Sequence, residues 1–206
     1  MKLMYAPGAC SLGIHLLLEE IGKPYEALQV DLRGGGQFKP EFTSVNPKSK
    51  VPTLVRDDGT VLTEFPAIAF WLARSNPDSK LLPDDADSQA RALEAMDYVV
   101  ATMHMQGFTR IFRPGNFSPN AADEETVKAR GREIFEKGLG VLDQALAGKD
   151  YVVGQFSVAD AALFYVEFWA AARLKLDLPP NVAAHYKRML GRPAVQRMMQ
   201  QEGLAA

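Results

Sequence analysis

Val51-Pro52-Thr53-Leu54-Val55, the turn residues Asp57-Asp58-Gly59-Thr60, and Val61-Leu62-Thr63 form the stretch on which the fold is decided. An Asp-Gly pair between two apolar runs is the strongest short-range signal for a β-hairpin. Pro52 opens the first hairpin strand, where its missing N–H removes no ladder bond. Glu64 then starts a helical pattern through Ala73, with Ile68, Phe70, Trp71 and Leu72 apolar. Toward the N-terminus, Gly34 to Gly36 lack the spacing and the Lys-Ser/Thr of a phosphate loop and read as a connection. Tyr25 to Leu32 alternates loosely and predicts a strand with Tyr25, Ala27 and Val30 inward. Ser11 to Ile21 carries Leu12, Ile14, Leu16, Leu17 and Leu18, a helix stopped by Gly22 and Pro24. Residues 2–6 predict a first strand broken by Pro7-Gly8. The predicted order is β-α-β, a short helical piece, then β-β-α.

Asn76 to Asp87 is rich in Pro, Asp and Asn and reads as a linker. Beyond it no strand pattern appears. Ala86 to Phe112 and Asp123 to Leu146 are long helical patterns, separated by the loop Arg113 to Asn120. Ser157-Val158-Ala159-Asp160 has capping-box spacing, with Asp for Glu, before the apolar run Ala161 to Trp169. Pro179-Pro180 and Arg192-Pro193 frame two last short helices. The expected organisation is an α/β domain over residues 1–75, a linker over 76–87 and an all-helical domain over 88–206.

Composition narrows the function classes. The chain has 206 residues, 47% hydrophobic and 23% charged, the balance of a globular protein. A formal net charge of −2 gives no electrostatic reason to expect nucleic acid or an anionic membrane. No apolar run approaches the roughly 18 residues of a membrane span, and Pro7-Gly8 comes too early for a signal-peptide core. A single cysteine, Cys10, excludes an intrachain disulfide framework, so a cytoplasmic protein is expected. Cys10 sits at the first turn of the first helix, where free N–H groups and the helix dipole favour thiolate. The competing reading is a small buried hydrophobe.

Four segments carry a resemblance: Met1 to Leu12 with Cys10, Asn46-Pro47-Lys48-Ser49-Lys50-Val51-Pro52-Thr53-Leu54, Asp58 to Glu64, and Ser157 to Asp160. The N-terminal part resembles the thioredoxin fold. With the all-helical part attached, the chain resembles a cytosolic glutathione transferase, closest to the bacterial beta class. The resemblance implies glutathione as co-substrate and a homodimer. It implies a cis bond before Pro52 that presents the Val51 backbone to the cysteinyl part of glutathione. Glu64 and the N–H of Phe65 would take the γ-glutamyl end, and Lys50 or Lys39 the glycyl carboxylate. Cys10, Ser11 and Tyr5 compete as donors to the glutathione thiolate.

Three positions depart from the family pattern. Phe65 stands where Ser or Gly is usual, and its ring is expected to take up room. Met105 and Gln106 occupy the positions of a His-Lys pair, and His104 lies one residue away, about 100° around a regular helix. His104 reaches a thiol only if the helix is irregular. Phe108, Ile111, Phe112 and Phe117, with Arg110 and Arg113, are the expected wall for an apolar electrophile. Metal binding is not expected, because His15 and His185 have no partner at ligand spacing. The expected activity is conjugation of glutathione to small apolar electrophiles, a detoxifying reaction. Two alternatives are thiol-disulfide exchange or deglutathionylation through Cys10, and a non-catalytic binding protein of the same fold.

Overall fold

The computed structural model describes residues 1–204, so the last two residues of the expected helical domain lie outside the described residues. By compactness the chain forms two units: Met1–Leu82 with the chain from Arg188 onward, and Pro83–Lys187.

The first unit runs β1 (Lys2–Tyr5), α1 (Ser11–Ile21), β2 (Glu26–Gln29), the single turn α2 (Pro40–Thr43), β3 (Thr53–Val55), β4 (Val61–Thr63) and α3 (Phe65–Ser75). The sheet order is β2-β1-β3-β4, with β1 parallel to β2 and antiparallel to β3, and β3 antiparallel to β4. The hairpin forms where Asp58-Gly59 places it, with Thr53 opposite Thr63 and Leu54 opposite Leu62. Leu12, Ile14, Leu16, Leu17 and Leu18 of α1 are all buried, as are Leu3, Leu54, Ile68 and Leu72. A helix apolar on so many faces is stable only inside a core, which is where α1 lies. Gly22 ends it in the left-handed region at φ 70°, donating its N–H to the Leu18 carbonyl at 3.0 Å.

Two expectations need correction here. β2 is shorter than Tyr25–Leu32, and Ala27 is exposed rather than inward. β2 is an edge strand paired only with β1, so alternation there does not report a buried face. The helix after the hairpin begins at Phe65, not Glu64. Glu64 is its cap residue, with φ 70° and ψ 125°, a backbone no helical residue adopts.

The C-terminal helix α9 (Pro193–Gln201) belongs to this first unit and packs on α1. The chain therefore divides differently from a helical domain taking everything after residue 88. Polar side chains on α1 hold the later segment. Arg192 Nε donates to Glu20 Oε1 at 2.7 Å, Arg197 Nε to Glu19 Oε2 at 2.7 Å, and His15 Nδ1 lies 2.8 Å from Glu202 Oε1.

The second unit contains α4 (Ala86–Asp97), a π-helical stretch Tyr98–Phe108, α5 (Thr109–Phe112), α6 (Glu124–Ala145) and α7 (Val158–Phe168) with a π-helical end, Trp169–Arg173. α8 (Pro180–Leu190) begins in it. The expected run from 86 to 112 is helical throughout, though its middle is π rather than α. Gly131 of α6 lets that run come close: a Cβ there would lie 2.7 Å from the Gly107 carbonyl oxygen and 2.7 Å from Arg110 Cβ. Every residue of α7 is buried. The expected capping box starts it, with Ser157 Oγ accepting from Ala159 N–H and Asp160 Oδ2 from Ser157 N–H at 2.8 Å. His185 of α8 is fully buried, its Nδ1 2.8 Å from Glu167 Oε1 and its Nε2 3.2 Å from Asp160 Oδ1. No helix among the described residues is long and apolar enough to cross a membrane.

Candidate active site

The loop between β1 and α1 carries Cys10, and four hydrogen bonds shape it. Ala9 N–H donates to the Ala6 carbonyl at 3.0 Å. Ser11 Oγ accepts from Ala6 N–H at 3.2 Å and donates to the Ala6 carbonyl at 3.3 Å. Gly8 N–H donates to Glu202 Oε2 at 2.8 Å. Ser11 has no exposed surface, and Tyr5 is buried with its ring centroid 5.1 Å from that of His15. Burial, and then the Glu202 carboxylate, hold the Tyr5 phenol above its ordinary range. Of the three competing donors only Cys10 is left partly exposed.

The Cys10 thiol donates to the Val51 carbonyl, Sγ to O 3.4 Å. The expected acidification does not occur. Burial pushes the thiol up to about 12. The N–H groups of Cys10 and Ser11 and the charge of Lys50 act the other way, while the Glu64 carboxylate adds to the rise. The helix terminus exerts the expected pull, but desolvation of the thiolate is larger. Cys10 is therefore a neutral S–H donor at neutral pH.

Val51 enters through a loop built on Asn46, which is 1% exposed. Asn46 Oδ1 accepts from Lys48 N–H at 3.0 Å, and Nδ2 donates to the Lys50 carbonyl at 2.8 Å and to Thr53 Oγ1 at 2.7 Å. The Val51–Pro52 peptide bond is cis. Val51 and Pro52 are buried, and Lys50 is exposed. Four described non-glycine residues have positive φ, and two of them, Ser49 at 55° and Glu64 at 70°, border this loop and the start of α3. Such conformations cost of order 1–3 kcal/mol each and gather at functional sites.

Glu64 does not cap α3 with its side chain. Its carboxylate points outward, 58% exposed, and Lys48 Nζ donates to Oε1 at 2.9 Å and to Thr63 Oγ1 at 2.8 Å. Phe65 is only 4% exposed, so its ring fills the unit's interior and does not take up room outside it. The structure thus gathers Cys10, Lys50, Val51, Pro52, Glu64 and Phe65 in the first unit, with Ser11 buried beneath them.

His104 belongs to the second unit. It lies in the π-helical stretch, where its carbonyl accepts from Thr109 N–H five residues on. Its ring is edge-on to Trp169 at 4.8 Å and to Tyr165 at 5.8 Å. Beside it Phe108 stacks on Trp169 at 4.1 Å and on Phe112 at 5.3 Å, and Phe112 is 58% exposed. Arg110 lies 4.0 Å above the Phe117 ring and donates to the Gln106 carbonyl at 2.7 Å.

Sequence reasoning missed Lys48, Asn46 and Glu202 as site residues. The Asn-Pro turn signal at 46–47 marks a loop but not the three bonds of its amide. Nothing in the sequence links Gly8 to a carboxylate 194 positions away.

Residues 8–75 match the glutathione S-transferase N-terminal domain family and residues 125–188 the corresponding C-terminal domain family. Glutathione S-transferase GstA of Escherichia coli O157:H7 is 41% identical over 99% of this chain and 100% of that protein. A sphingomonad glutathione S-transferase solved with glutathione is 37% identical, with a TM-score of 0.86 and full coverage of both chains. The beta-class enzyme of Sphingomonas chungbukensis is 35% identical, with a TM-score of 0.85 and full coverage of both. With both domain families matched and a relative 41% identical over its full length, the chain belongs to the glutathione S-transferase family.

Proposed function

We propose that the protein conjugates the thiolate of glutathione to small apolar electrophiles, with Cys10 as the donor to the glutathione sulfur. The observation that carries this is the neutral Cys10 thiol 3.4 Å from the Val51 carbonyl. Held up by burial, the thiol keeps its proton, and once the glutathione cysteinyl N–H occupies the Val51 carbonyl that proton turns from the carbonyl to the glutathione thiolate. That contact lowers the glutathione pKa and raises the fraction of nucleophile. In this reading the cysteinyl backbone of glutathione pairs with Val51, the γ-glutamyl ammonium meets Glu64, and Lys50 faces the glycyl carboxylate. The thiolate attacks the electrophile, one carbon–sulfur bond forms, and the leaving group departs with its electron pair. Ser11 is a support of the loop in this reading.

The same thiol argues against covalent redox chemistry through Cys10, since exchange requires a thiolate. The reading extends to a homodimer in a reducing cytoplasm and to detoxification of electrophiles. Calorimetry with glutathione and a conjugation assay with an aryl halide test it. Saturable glutathione binding with turnover is the expected result. Binding without turnover would favour a non-catalytic scaffold, and absence of both would overturn the reading.

A further inference from the structure

Lys48 has no part in the roles assigned above, yet its ammonium forms an ion pair with Glu64. The pair is unusual in how firmly both ends are set. Glu64 holds a left-handed backbone, φ 70°, which directs its side chain away from the α3 terminus it precedes. Lys48 Nζ bridges Glu64 Oε1 at 2.9 Å and Thr63 Oγ1 at 2.8 Å, so the ammonium is fixed to the end of β4 as well as to the carboxylate. Its own backbone is fixed by the buried Asn46, whose Oδ1 accepts from Lys48 N–H at 3.0 Å. The other end of that amide donates to the Lys50 carbonyl, next to Val51. One buried side chain therefore ties the Glu64 clamp to the backbone proposed to receive the cysteinyl group.

We propose that Lys48 is a positioning residue for glutathione: it holds the Glu64 carboxylate in the rotamer that receives the γ-glutamyl ammonium. This rests on the glutathione reading above. Lys48 occupies one oxygen of Glu64, Oε1, and leaves Oε2 for the ligand. An exposed carboxylate on a flexible side chain loses rotamer entropy when it binds. A carboxylate already held by Lys48, itself anchored on Thr63 Oγ1, loses less, which is preorganisation. The recognition gained is specific to the amine of the ligand and not to its thiol or glycyl end.

The test compares glutathione with an analogue in which hydrogen replaces the γ-glutamyl amino group, by calorimetry and by conjugation kinetics. The wild-type protein should bind glutathione more tightly than the analogue. Lys48→Met should weaken glutathione about fivefold, the upper range for an exposed ion pair, with the loss carried mainly in KM, and leave analogue binding nearly as it was. Lys48→Arg should restore the discrimination. Equal weakening of both peptides, or tighter glutathione binding in Lys48→Met, would overturn the positioning role while leaving the glutathione reading intact. A wild-type protein that binds neither peptide would overturn both. Unchanged thermal midpoints in the variants separate these outcomes from loss of fold.

Discussion

Cys10 shows how one side chain can be placed by a helix terminus and governed by burial. Its N–H neighbours stabilise a thiolate, yet desolvation holds the thiol near 12. Three pH units of upward displacement leave almost no thiolate at pH 7.5. Iodoacetamide should therefore alkylate Cys10 about 100-fold or more slowly than free cysteine, read by mass spectrometry. Replacing the donor should be felt in the ligand instead. Cys10→Ala should lower kcat/KM by about 10- to 100-fold and move the thiolate absorbance of bound glutathione to higher pH. Cys10→Ser, which keeps a hydroxyl donor, should fall between. Rapid alkylation, or an unshifted glutathione titration in Cys10→Ala, would remove Cys10 from the donor role. The residue's position was legible in Pro7-Gly8-Ala9-Cys10-Ser11, but its ionisation was not. Desolvation depends on what folds over the sulfur, and here that includes Val51, forty-one positions on.

At the level of elements, the buried cluster joining α7 to α8 gives the clearest pH dependence. His185 is desolvated, which alone would lower its pKa, but Glu167 and Asp160 outweigh this and raise it to about 9. Burial likewise raises Glu167 despite the opposing charge of His185. Both shifts mean that the folded cluster keeps protons the unfolded chain would release. The histidine's share of this stabilisation is complete below about pH 6.5, its unfolded value, and is lost as pH rises toward 9. The loss should be about 3 kcal/mol at most, measured as the fall in urea-unfolding free energy between pH 6 and pH 9. His185→Gln should be less stable at pH 6 and show a flatter profile. A wild-type stability that rises across that window would contradict the assignment. The elements themselves were largely readable. Helix α1 has the limits predicted, the Asp-Gly hairpin is present, and residues 86–112 are helical throughout. What periodicity could not reveal was the π geometry of Tyr98–Phe108, because apolar spacing along a chain does not distinguish i→i+4 from i→i+5 bonding. It also misjudged β2, whose edge position makes its face a matter of tertiary neighbours.

Across the whole molecule, the assignment of α9 to the first unit was invisible in sequence order. His15, Glu19 and Glu20 read as interior or surface positions of a helix, and their partners come 172 to 187 positions later. Glu202 is the most consequential of these partners, since one carboxylate serves both His15 and Gly8 N–H. Glu202→Ala should cost about 1–3 kcal/mol by leaving the buried His15 Nδ1 and the Gly8 N–H without their acceptor. It should also reduce conjugation more than the loss of folded protein explains, checked by urea unfolding and by kinetics on the folded fraction. A variant with unchanged stability would show that His15 and Gly8 find other partners. Gly8 is also made 194 residues before the carboxylate that anchors it. At about 5–20 residues per second, that interval lasts roughly 10–40 s. Throughout it the nascent chain carries Cys10 in a loop that still lacks its Glu202 anchor.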